Sequence, residues 1–214
     1  MKKTFLICLC VIALLTTVIF GTLAWLADSE LVTNTFTMGK VNIQVDEAAV
    51  NPDGSLIEDA DRVTANDYHL IPGHTYIKDP TLTVNADSEE AYIRMLLTLN
   101  CKSQLDAIFA PGTELTSIFN GYDGSNWIFQ EETVDSVANT VTYEFRYKET
   151  VAPNGTDVVL DALFDSFTIP GTLDGADLES LQGLTITITG HAIQAEGFAT
   201  ADLAWTAFET QMQS

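Results

Sequence analysis

Three histidines are the first residues to weigh for chemistry. His69 and His74 flank the turn Pro72-Gly73, and His191 stands far off in an alternating run. A zinc peptidase of the commonest kind needs two His one helical turn apart with a Glu base between them, HExxH, and no such pair occurs. A fold could still bring His69 and His74 together across their turn. There is no GxSxG elbow for a serine nucleophile. Carboxylate pairs are so frequent (Glu89-Glu90, Glu131-Glu132, Asp59 with Asp61) that none stands out as an acid–base couple. Asp123-Gly124-Ser125-Asn126 is a turn that shares only part of a calcium-loop pattern. Calcium held by several loop carboxylates is the one cofactor left open, because it would relieve the repulsion of an acidic surface. Tyr122 and Trp127 could bind sugars or fill a core. The sequence therefore nominates no catalytic residue and no metal ligand set.

The acid itself is informative. The chain of 214 residues carries Lys+Arg 9 against Asp+Glu 30, a formal net charge of −21. Such a surface repels nucleic acid and anionic lipid, so neither is an expected partner. It favours solubility, cation binding and salt-sensitive self-association. Cys8 and Cys10 fall in the N-terminal segment, which leaves Cys101 alone downstream. A disulfide within residues 25–214 is thereby ruled out, and Cys101 reads as a strand-end or core residue.

The N-terminus combines an address with a strand. Lys2 and Lys3 precede an apolar run from Phe5 to Phe20, and Thr22 and Ala24 supply the small residues a signal peptidase needs for a cut before Trp25. Residues 1–24 thus read as a signal peptide, with a cut after Ala27 as a variant. The competing reading is an uncleaved anchor, since the apolar run continues through Leu26. On the first reading the chain meets the membrane only before processing, and residues 25–214 form a single exported domain.

From Leu31 the pattern has period two. Val32, Asn34, Phe36 and Met38 share one face, and Leu31, Thr33, Thr35 and Thr37 share the other. Val41, Ile43 and Val45 alternate with Asn42, Gln44 and Asp46, and Asn51-Pro52-Asp53-Gly54 is a turn. Glu58 to Asp67 reads as a solvated excursion. Thr81 to Val84 is a strand; Ala91 to Cys101 is a longer one, expected at the centre of a sheet, with Tyr92 and Leu96 hinting at cover on its second face. Gln104 to Phe109 and Glu114 to Phe119 read as short helices, and Trp127 to Phe129 as a short strand. In Thr140 to Glu149, Val141, Tyr143, Phe145 and Tyr147 face a core, while Thr142, Glu144, Arg146 and Lys148 are expected to face water. Val158 to Ile169 gives strand pieces around a buried loop. Asp174 to Leu181 is a helix closed by Gly183. Leu184 to Ala195 is a strand in which Gly190 could mark a bulge. Thr200 caps a C-terminal amphipathic helix with Ala201, Ala204, Trp205, Phe208 and Met212 on its apolar side.

These stretches carry a resemblance. GTLAWLADSELVTNTFTMGKVNIQV, the block YHLIPGHTYIKDPTLTVNADSEEAYIR, the run from Leu163-Phe164 to Pro170 and the ending HAIQAEGFATADLAWTAF resemble the secreted TasA/camelysin-like family of Gram-positive bacteria. Residues near 101–137 fall outside the likeness. The resemblance implies a mainly β, jelly-roll-like antiparallel β-sandwich with short helices and a C-terminal amphipathic helix. It implies export through a SipW-type signal peptidase to the extracellular matrix or cell surface. It further implies self-association into filaments, in which the N-terminal strand of one subunit completes the sheet of the next. Here Leu31, Val32, Thr33, Asn34, Thr35 and Phe36 would be that donor strand, within Trp25 to Phe36; the alternative is that this strand pairs within its own domain. Camelysin-type members are classed as metallopeptidases, an activity for which the histidines above give no motif. A monomeric adhesin or minor fibre component is the third function the resemblance allows.

Overall fold

A computed structural model describes residues 40–109 and 112–212. Residues Thr22, Ala24, Trp25 and the candidate donor strand Leu31–Phe36 lie outside the described residues. Among the described residues, ten strands form three sheets. β1 (Ile43–Asp46), β3 (Thr81–Val84) and β8 (Val158–Val159) make one, in the order β1-β3-β8. β10 (Ile186–Gln194), β4 (Ala91–Leu99), β7 (Thr140–Tyr147) and β6 (Trp127–Asp135) make the largest, in that order. β2 (Thr75–Ile77), β9 (Ser166–Thr168) and β5 (Phe119–Asn120) make the third. Every pairing is antiparallel. The chain is mainly β, as its alternating patterns predict, in an arrangement consistent with a β-sandwich.

The core follows the period of the strands. Ile93, Met95, Leu97 and Leu99 of β4 are buried on one face with Val141, Tyr143 and Phe145 of β7. Ile43, Val45 and Leu82 bring the first sheet against this one. The contact is closest at Gly190, where a Cβ would lie 2.6 Å from Val45 Cγ2 and 2.9 Å from Leu82 Cδ1. Gly190 marks no bulge: β10 pairs with β4 without a register break from Ile186↔Leu99 to Gln194↔Ala91. The glycine is there because a second sheet arrives at that point.

Four helices complete the described residues. α1 (Lys102–Ile108) and α2 (Glu114–Ile118) lie between β4 and β5. They are joined by Lys102, whose ammonium pairs with Asp106 and, at 2.9 Å, with the fully buried Glu114. Cys101 sits just past β4 in a left-handed conformation at the start of α1, a strand-end residue rather than part of the buried row. α3 (Gly175–Ser180) starts at a capping box, Asp174 accepting from Ala176 N and Asp177 N while Asp177 accepts from Asp174 N. α4 (Ala201–Met212) packs Ala204 and Trp205 with Ile193, a cluster separate from the main core.

Besides the bulge at Gly190, two expectations need correction. β6 runs to Asp135, far beyond Phe129, since Glu131 to Asp135 pair with β7 as an exposed polar edge that composition disguises. Glu144 and Arg146 do not face open water. Glu144 is buried and Arg146 partly so, because α4 covers that part of the sheet. The excursion Glu58–Asp67 is solvated but tethered: Arg62 Nε bonds Asp46, and its other nitrogens donate to Asp79 Oδ2 at 2.9 Å and Thr81 Oγ1 at 2.9 Å.

Candidate functional site

A cleft of about 1090 Å³ is the candidate site. β1 and β10 approach each other at Gly190, and the cleft opens between the end of β1 with Glu47 after it and the start of β10 with Leu184 and Thr185 before it. The turn after α3 and Thr64–Leu70 also line it, together with Phe167, Lys78 and Pro80. Val45, Leu70, Leu184, Ile186 and Ile188 are each only partly buried, so apolar surface is left uncovered along the opening. Among the described residues, β1 has a strand ladder only with β3 and β10 only with β4. Two strands whose second edges carry no ladder among the described residues therefore border one apolar trough. An unpaired backbone row beside apolar pockets is the chemistry of strand addition: the ladder supplies affinity and alternate side chains supply register.

A polar cluster is set into the wall of this trough. Glu47 and Lys78 are 5% and 6% exposed, and the Lys78 ammonium is paired with Glu47 Oε2. On the other carboxylate oxygen, Asn66 Nδ2 donates to Glu47 Oε1 at 2.9 Å and also to Ala48 O at 2.9 Å. Asn66 Oδ1 accepts from Val50 N at 3.0 Å. Tyr68 lies beneath, its ring 5.9 Å from Lys78 Nζ and its hydroxyl donating to Ile77 O at 3.1 Å. Burial, reinforced by the charge of Glu47, holds the Tyr68 phenol protonated well above its ordinary range. The backbone pair Glu47–Val63, with both bonds at 2.8 Å, fixes the base of the cluster. Alternation places Glu47 beyond β1 and Asn66 in a polar run. The one sequence signal for this group is a lysine in the apolar segment TYIK leading from β2.

The histidines are dispersed. His74 Nε2 bonds Asp53 O at 2.6 Å and its ring packs on Tyr76, while Tyr76 Oη donates to His69 O at 2.7 Å. Their turn serves the packing of Tyr76. Among the described residues no three His, Cys, Asp or Glu side chains are grouped to hold a metal ion. Asp123 accepts from Ser125 N at 2.9 Å and Ser125 Oγ at 2.8 Å, which lowers its pKa and identifies the loop as an Asx turn. Trp127 is core, and Tyr122 donates to its carbonyl at 2.6 Å.

His191 belongs to the face under α4. Arg94 Nε donates to His191 Nδ1 at 3.1 Å; arginine can only donate, so that nitrogen is unprotonated and the imidazole neutral. Burial first, and the Arg94 charge second, lower its pKa below 6.5, against the opposing pull of Glu209 and Glu144. The unfolded chain thus takes up the proton first as pH falls. The His191 contribution to stability is complete above about 6.5 and declines below it. We expect α4 to loosen on acidification from neutral pH, seen as a change in Trp205 emission that His191→Gln removes. An unchanged profile in that variant assigns the transition to carboxylates instead.

Comparison with protein-family models, with curated proteins and with solved structures found no match. No helix among the described residues is long and apolar enough to cross a membrane.

Proposed function

We propose that this is an exported structural protein of the cell surface or extracellular matrix, a filament subunit that assembles by strand addition, with no enzymatic role. The observation that supports the reading is the trough bordered by β1 and β10, whose second edges carry no ladder among the described residues. Leu31–Phe36, which presents Val32 and Phe36 on one face and Leu31, Thr33 and Thr35 on the other, has the chemistry to fill it. If the strand comes from a second copy, the contact is heterologous and repeats without closing, which makes a filament. If it comes from the same copy, the protein is a monomer. A jelly-roll arrangement and SipW-type processing before Trp25 belong to the same proposal.

Mixing two defective proteins separates the outcomes. A form lacking Trp25–Phe36 keeps its cleft but has no strand to give. Ile188→Glu keeps the strand but places a charge in the trough. Each alone should fail to form filaments by electron microscopy, and an equimolar mixture should form discrete dimers. Filaments from the strand-deleted form would defeat the proposal. So would a strictly monomeric wild type.

A further inference from the structure

We propose that Lys78 and Asn66 are joined by an isopeptide bond that the chain forms unaided, with Glu47 carrying the proton. This goes beyond the assembly reading and does not depend on it. The three residue types are those the reaction needs: an amine nucleophile, a carboxamide with ammonia as its leaving group, and a carboxylate touching both. One carboxylate holds the amine on Oε2 and the amide nitrogen on Oε1, which puts the two reactants side by side.

Each partner is also fixed from behind. Lys78 N donates to Asp165 O at 3.1 Å, and the Asn66 side chain is held by Ala48 O and Val50 N. Reactants held in contact in this way lose the entropic part of the barrier. The Val50 N–H is aimed at Asn66 Oδ1, the atom that gains negative charge when the amide carbon is attacked. Glu47 and Lys78 are almost wholly removed from water, which strengthens the electrostatic guidance between them.

The step balances within the chain. Glu47 takes a proton from the Lys78 ammonium, and the freed amine lone pair forms the bond to Asn66 Cγ. The oxyanion on Oδ1 rests on the Val50 N–H. Glu47 returns its proton to Nδ2, the Cγ–Nδ2 bond breaks, and ammonia leaves through the adjoining cleft. The amine's remaining extra proton leaves with that ammonia as ammonium. No oxidant, metal or cofactor is consumed.

Lys102 supplies a contrast within the same molecule. It is as buried as Lys78 and pairs with Asp106 and Glu114, yet no carboxamide is bonded to either carboxylate among the described residues. Lys40 does share the Asp87 carboxylate with the Asn42 amide, but both charged side chains there are exposed to water; among the described residues Lys78 is the buried lysine whose carboxylate also holds an amide. The product would lock Thr64–Leu70 to the end of β2, making one wall of the trough covalently rigid.

The test is peptide mapping of the purified full chain under denaturing conditions. Trypsin should not cut after Lys78, giving a peptide Val63–Arg94 lighter than its sequence by one ammonia. Chymotrypsin, cutting after Tyr68 and Tyr76 inside the loop, should leave the Asn66 and Lys78 fragments joined. A peptide ending at a free Lys78, at full mass, overturns the proposal whatever the variants do. Glu47→Gln should return the full mass. If that variant does not fold, Asn66→Asp replaces it: condensation then expels water, so its joined peptide matches the wild type in mass. An ammonia loss mapping to Asn120-Gly121 or Asn154-Gly155, and retained in Glu47→Gln, is backbone cyclisation and counts against the bond.

Discussion

Arg94→Ala is expected to lower stability by about 3–5 kcal/mol, the range for stripping one partner from a buried ion network. Arg94 is 4% exposed in β4 and ties four elements together. Its guanidinium donates to Glu144 Oε2 at 3.2 Å on β7, to Glu209 Oε1 at 2.5 Å on α4 and to His191 Nδ1 at 3.1 Å on β10. It also lies 4.5 Å from the Trp205 ring and 5.1 Å from Phe208. Arg146 cannot take over. It already serves Glu144 Oε1 at 2.6 Å and Asp202 Oδ1 at 2.6 Å. Removal therefore leaves Glu144 half-compensated and opens space beneath Trp205, whose Nε1 has no hydrogen-bond partner among the described residues. Lysine at this position keeps the charge but cannot fork to three acceptors, so Arg94→Lys should recover only part of the loss. Urea unfolding followed at Trp205 measures both, and a change of under about 1 kcal/mol in the alanine variant, the scale of an exposed pair, would refute the network.

The second large effect is expected at Gly54. Its φ is +80°, and a Cβ there would meet Tyr76 Cα at 2.8 Å and Tyr76 Cβ at 3.0 Å. Alanine in the left-handed region costs about 1–2 kcal/mol, and overpacking adds about 1–3 kcal/mol. The second part cannot relax by moving a side-chain tip, because the obstruction is the backbone of β2. Tyr76 is fully buried, stacks on Phe167 at 4.9 Å between ring centroids, and accepts from Ile71 N at 2.7 Å. Displacing it disturbs the whole His69–Tyr76 turn. Thermal unfolding of Gly54→Ala should show a fall of several degrees. A melting temperature equal to wild type would mean that the turn does not bear on Tyr76.

Much of the framework is legible in the sequence where a strand has one clean face. The row Ala91–Leu99, the alternation of β7 and the Thr200-capped helix all follow from period alone. Period fails where a face is covered twice. Arg94, Glu144 and Arg146 alternate like surface residues, and only α4, folded back from the far end of the chain, turns them into a buried network. Tyr92 and Leu96, apolar on that same face, were the available hint of a cover. The strand β6 is hidden for the opposite reason: its edge position lets it be nearly all polar. The Glu47–Asn66–Lys78 group draws on three separate segments, so no local spacing could announce it. The trough is likewise a property of how two sheets meet.

β6 bears on what a filament must refuse to do. It is the outer strand of the largest sheet, and all of it but Trp127 is exposed. Such an edge invites sideways growth. Against that stand the register shift between Phe129 and Glu131 and the carboxylates of Glu131, Glu132 and Asp135. The kink and the repulsion make this flank mute, so that elongation and bundling become separate decisions: one made by a strand in a trough, the other by how well the surrounding ions silence three acids.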